Sequence, residues 1–108
     1  MIENFHAHIY FDAQEAEAAR ALAEDARARF GVRVGRFHER PVGPHPRGSC
    51  QLTVDTGQFG DFAVWAALNR RGLTVFAHPS TGADLADHRD HAIWFGASEP
   101  LDLSIFRA

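Results

Sequence analysis

Residues 5–11 read Phe5-His6-Ala7-His8-Ile9-Tyr10-Phe11, and their strict alternation decides the architecture. Phe5, Ala7, Ile9 and Phe11 fall on one side of a period-two strand, with His6, His8 and Tyr10 on the other. Immediately downstream, Asp12 is placed to start a helix, and Glu15 three residues later completes a capping-box pattern. Ala19, Leu22, Ala23, Ala26 and Phe30 then recur at helical spacing as one apolar stripe, with Glu17, Arg20, Glu24 and Arg27 outside it. Gly31 follows where a helix C-cap glycine belongs.

The remaining chain repeats this unit. Val32–Phe37 predicts a second strand, interrupted by Gly35, and three prolines make Pro41–Pro46 a loop. Cys50, Leu52 and Val54 alternate with Ser49, Gln51, Thr53 and Asp55 in a third strand. Gly57–Asp61 turns the chain into a second helix, whose buried stripe is either Phe62, Trp65, Ala66 and Asn69 or Val64, Trp65 and Leu68. Leu73, Val75 and Ala77 alternate with Thr74, Phe76 and His78 in a fourth strand. His91–Gly96 is a short strand or a helix end, and Leu101, Leu103 and Ile105 alternate in a way that suits an edge strand or a partner chain. The order strand, helix, strand, strand, helix, strand is the α+β ferredoxin-like sandwich, an antiparallel sheet with two helices on one face. Its first strand is expected in the middle, beside the third and fourth, leaving the second face open for a ligand or a partner subunit. Residues 1–108 are expected to form a single domain of this kind.

Composition narrows the function classes. The chain has 108 residues, is 45% hydrophobic and 23% charged, and carries a net charge of −3, as folded domains do and disordered chains do not. All 11 cations are arginines spread along the sequence, so no nucleic-acid partner is expected. Nothing resembles a signal peptide or a membrane span of about 20 apolar residues, and a cytoplasmic location is the default expectation. The single cysteine, Cys50, cannot form an internal disulfide and reads as a small buried hydrophobe. Phosphate-binding glycine loops and a nucleophile elbow are missing.

Seven histidines carry the remaining chemical content. The alternation that buries Ala7, Ile9, Val75 and Ala77 sends His6, His8 and His78 to the other face. Neighbouring strands lie about 4.8 Å apart, so these three imidazoles can converge. A three-imidazole set suits a divalent transition metal better than magnesium or calcium. No spacing identifies a carboxylate to join them; Glu3, Asp12, Asp55, Asp84 and Asp87 are all candidates, and so is an all-histidine site. His45 sits between Pro44 and Pro46, in a stiffened loop that could present an acid/base group or simply an exposed imidazole. His88 and His91 are spaced for one helical face, beside Asp87 and Asp90. His38, among Arg36, Glu39 and Arg40, reads as a surface residue.

Four stretches together resemble one family. Phe5–Phe11, the Pro41-Val42-Gly43-Pro44-His45-Pro46 loop, His78-Pro79-Ser80-Thr81-Gly82, and Asp87-His88 through Ala92-Ile93-Trp94-Phe95-Gly96 are similar, in order and spacing, to the DOPA 4,5-dioxygenase family. The resemblance implies a ferredoxin-like homodimer that cleaves the ring of a catechol, such as DOPA or a caffeate-like compound, with non-haem Fe(II) and O₂. It singles out His6, His8, His45, His78 and His88 and leaves His38 and His91 aside. Strand geometry favours His6, His8 and His78 as the metal ligands, which leaves His45 and His88 as acid/base or substrate-orienting residues. Zinc or another divalent ion could occupy the same ligands in purified protein. Two other readings compete: a non-catalytic dimeric module that binds a metal or small aromatic ligand, and a cofactor-free oxygenase or isomerase using His and Tyr10.

Overall fold

The computed structural model describes residues 2–106, and its elements follow the alternation closely. Strand β1 is Asn4–Phe11, helix α1 Ala16–Phe30, β2 Arg33–His38, β3 Gly48–Asp55, α2 Thr56–Asn69, β4 Thr74–Pro79, α3 Asp84–Arg89 and β5 Ile93–Phe95. The five strands form one sheet in the order β2-β3-β1-β4-β5, antiparallel at every pairing. This is the expected α+β ferredoxin-like core with β1 at its centre, extended by β5 on the edge of β4. The stretch His91–Gly96 therefore contributes a strand.

Alternation sets the layers. Ala7, Ile9, Cys50, Leu52, Val54, Val75 and Ala77 are buried against Ala19, Leu22, Ala23 and Ala26 of α1 and Phe62 and Ala66 of α2. Capping delimits α1: the Asp12 N–H donates to Glu15 Oε1 at 2.9 Å, and Gly31 takes a left-handed φ of 66° while its N–H donates to the Arg27 carbonyl. A short 3₁₀ turn, Ala13–Glu15, leads into the helix. For α2 the structure selects the Phe62, Trp65, Ala66 stripe, since Val64 and Leu68 are 67% and 80% exposed. The helix starts directly after β3, so Gly57 and Gly60 lie inside it instead of in a turn. Packing of Phe59, Phe62 and Trp65 against the core outweighs the roughly 1 kcal/mol each glycine costs a helix.

Two further expectations change. In β2 the register runs from Val34 opposite Leu52 to Phe37 opposite Cys50, so β2 advances three residues while β3 advances two. This bulge shifts the strand's phase at Gly35, where an added Cβ would sit 3.1 Å from the Gln51 carbonyl. It returns Phe37 to the core and sends His38 to the opposite face. The C-terminal Leu101, Leu103 and Ile105 form no strand. Asp102 accepts from the Ser104 N–H and hydroxyl at 3.1 and 2.6 Å, which winds Leu103–Ile105 into a 3₁₀ turn.

Candidate functional site

The second sheet face carries the histidines. His6 stands directly opposite His78 in the β1–β4 register, and His8 opposite Phe76. This face is far from open: Tyr10 and Phe76 are fully buried, and His8, His45 and His78 nearly so. Phe76 stacks on Trp94 at 4.7 Å. The Pro41–Pro46 loop brings His45 over His8, ring centroids 4.2 Å apart, and α3 brings His88 to 4.0 Å from His78. Phe106 stacks on His88 at 4.4 Å. A thin second layer therefore covers the sheet and leaves a cleft of about 230 Å³, lined by His6, His8, His45, His78, His88 and Phe106 among others.

At the floor of that cleft one ligand nitrogen from each of His6, His8 and His78 lies within 4.8 Å of the others. His8 Nε2 and His78 Nε2 face each other across 3.2 Å. Two imidazole nitrogens held about 2.1 Å from one divalent ion stand roughly 3.0–3.4 Å apart, so this pair already has ligand spacing. The His78 Nδ1 lies 2.8 Å from the Pro79 carbonyl oxygen, which only accepts, so Nδ1 carries the proton and Nε2 keeps its lone pair for a ligand bond. Burial also keeps these rings neutral. It drives His8 well below the ordinary imidazole value, reinforced by His45 and His78. It lowers His78 to about 4, against the opposing hydrogen bond to the Pro79 carbonyl. His6, partly exposed, is lowered less, by burial and then His88 and Arg33. A neutral, unprotonated donor set is what a divalent metal requires, and the three imidazoles fit one.

No carboxylate belongs to this group among the described residues. Asp87 is buried, but its oxygens accept from the Thr81 N–H at 2.8 Å and the Thr81 hydroxyl at 2.6 Å. Burial raises its carboxyl, yet those two hydrogen bonds prevail and hold it below the usual carboxylate range. Asp87 thus ties the Ser80–Ala83 turn to α3. Asp84 lines the cleft wall and is exposed.

His45 is held by Tyr10, whose hydroxyl lies 2.7 Å from Nδ1; burial lowers this imidazole to about 4. Its loop is tied down at two points. The Asp102 N–H donates to the Pro44 carbonyl at 2.9 Å, and Arg47 grips Glu99 through Nε and Nη2 at 2.9 and 2.8 Å while Nη1 reaches Glu15 at 3.2 Å. His38, expected on the surface, is half-buried and lines a second cleft of about 260 Å³ with His8, His45, Arg36 and Gln51. His91 is exposed. Cys50 is fully buried on the helix side, its thiol pushed up to about 11 by burial. Sequence reasoning missed Arg47 and Phe106, and met Trp94 only as one residue of a longer resembling stretch.

A model of the Dopa 4,5-dioxygenase family matches residues 5–105. The chain belongs to this family. Among relatives, an uncharacterised 21.2 kDa protein of Botryotinia fuckeliana is 40% identical across 95% of this chain and 63% of its own length. The DOPA 4,5-dioxygenase of Amanita muscaria is 34% identical across 95% of this chain and 49% of its own. The chain thus spans about half to two-thirds of the curated relatives it matches. A crystal structure of a candidate dioxygenase from Nostoc punctiforme at 1.46 Å resolution superposes with a TM-score of 0.91 and 41% identity, covering 94% of this chain and 89% of that one. No described helix is long and apolar enough to cross a membrane.

Proposed function

We propose that this protein is a dioxygenase that opens the ring of a catechol beside its two hydroxyls, with His6, His8 and His78 holding a non-haem Fe(II). The observation that carries the reading is the convergence of three neutral imidazoles at the floor of a small cleft in a chain of this family. In the reaction one C–C bond of the ring breaks next to the diol and both atoms of O₂ enter the product, a semialdehyde acid. Bound Fe(II) would supply the redox centre and the Lewis acidity that this chemistry needs.

The chain's own residues supply the setting. Burial of His8 and His78 keeps water from competing with the ligands. A cleft of about 230 Å³ matches a single aromatic ring, and Phe106 and Pro44 give it apolar walls next to polar His45 and His88. His45 packs beside His8 and His88 beside His78, where each can hydrogen-bond to the diol or to a reacting oxygen.

The test is anaerobic loading with Fe(II), metal analysis, and oxygen uptake with L-DOPA and with caffeate. Near-stoichiometric iron and a yellow ring-opened product are expected. Less than about a tenth of an equivalent of metal, or no oxygen uptake with any catechol, would overturn the reading.

A further inference from the structure

A neutral imidazole has one N–H and one lone pair, so the partner of one ring nitrogen decides what the other can do. His88 Nδ1 lies 2.7 Å from the Asp84 carbonyl oxygen, one turn back in α3. A carbonyl only accepts, so Nδ1 carries the proton and Nε2 is a bare acceptor. At His45 the partner is Tyr10, a hydroxyl that can serve either way.

Burial resolves that choice. Tyr10 is 0% exposed, and no other acceptor for its O–H lies within hydrogen-bond distance among the described residues. Were His45 to donate, the phenol proton would be left buried without a partner, at a cost of about 1–3 kcal/mol. The Tyr10 O–H therefore donates to His45 Nδ1, and His45 carries its own proton on Nε2, on the ring edge away from Tyr10.

We propose that Tyr10 is a positioning residue that locks His45 as an N–H donor, so that His45 and His88 present opposite hydrogen-bonding edges beside the same three imidazoles. In the ring-cleavage reading, on which the mechanistic part rests, the two histidines then do different work. His88 offers a lone pair to a catechol hydroxyl. His45 steadies negative charge growing on a reacting oxygen by donating a hydrogen bond.

The proton positions can be read without turnover. Long-range proton–nitrogen correlation spectra of ¹⁵N-labelled metal-free protein at about pH 8, above the ordinary imidazole pKa of ~6.5, report which ring nitrogen bears hydrogen. His45 is expected to show an Nε2 proton and His88 an Nδ1 proton. In Tyr10→Phe the His45 signals should shift toward a mixture of tautomers while those of His88 stay fixed. In the Fe(II) enzyme that variant should lose about 10- to 100-fold in kcat, with KM and iron content within about 3-fold of wild type. Tyr10 is the one tyrosine of the chain, so biosynthetic 3-fluorotyrosine gives a second probe that preserves packing should the Phe variant not fold. Its more acidic phenol should move the His45 Nδ1 resonance further toward that of a hydrogen-bonded acceptor. An Nδ1 proton on His45 in the wild type, or His45 signals indifferent to both changes at Tyr10, would overturn the proposal. Absence of any catechol oxidation by the wild type would overturn the ring-cleavage reading while leaving the tautomer result to stand or fall by itself.

Discussion

The two faces of the sheet are made from the same central strands and are about equally dry, yet they use burial for different ends. On the helix side Ala7, Ile9, Leu52, Val54, Val75 and Ala77 vanish into a hydrocarbon core. On the other side His8, Tyr10, Phe76 and His78 are as deeply buried, but there every polar atom needs a partner, and burial disfavours the imidazolium form of His8, His45 and His78. The helix face turns removal from water into stability. The histidine face turns it into unprotonated imidazole donors and fixed proton positions. The difference teaches that burial alone does not identify a core; the polar content of the buried layer does.

The contrast is tested most severely by one substitution on each face. His78→Ala should abolish tight metal binding, a larger loss than the roughly 10–100-fold that follows removal of an outer partner, and should leave the fold in place. Leu52→Ala should lower stability by about 2–5 kcal/mol while the folded fraction still binds metal stoichiometrically. Equilibrium dialysis and denaturant titration of both variants separate these outcomes, and retained metal in His78→Ala would break the comparison. A second test uses acid. His45 and His78 have folded values of about 4, because burial disfavours the imidazolium, whereas an unfolded imidazole titrates near ~6.5. Between these values the unfolded chain binds more protons. Stability of the metal-free protein is therefore full above about pH 6.5 and is lost as pH falls through about 4, by something on the order of a few kcal/mol. A flat melting temperature from about pH 7 to 4.5 would mean that the histidine face is wet.

The smallest effect concerns the loop that covers the site. Arg47→Met removes the paired hydrogen bonds to Glu99 and the reach to Glu15. At a quarter exposed, the ion pair should contribute about 1 kcal/mol at most. We expect little change in melting temperature and a few-fold rise in KM for the catechol as the Tyr10–His45 contact loosens, readable by steady-state oxygen uptake. An unchanged KM would show that Pro44 and Pro46 hold His45 without help from Arg47.

Much of the histidine face was legible because strand alternation is local. Once β1 and β4 neighbour each other, parity alone sends His6, His8 and His78 to one side. What lay beyond reading depends on contacts distant in sequence. The Tyr10–His45 pair forms only after the Pro41–Pro46 loop is pinned by Asp102 and Arg47, 35 residues or more from β1. His38 read as a surface residue from its charged neighbours Arg36, Glu39 and Arg40, whereas the bulge after Val34 turns it to the histidine face, where it is half-buried. Gly57 and Gly60 looked like a turn since propensity says so, while the aromatic packing that carries them into α2 is tertiary. The Leu101–Ile105 alternation was too brief to resist a turn nucleated by Asp102.

One junction has a further consequence for how the chain finds this arrangement. Asp55 is both the last residue of β3 and the residue from which α2 departs, with φ −60° and ψ 143° and no intervening loop. A slip of one residue in the β1–β3 pairing would turn every side chain of β3 to the wrong face. Through this joint it would also rotate the apolar stripe of α2 by about 100°, swinging Phe62 and Ala66 away from α1. Strand and helix thus work like two gears on one shaft, and a misregistered sheet cannot be rescued by a correctly docked helix.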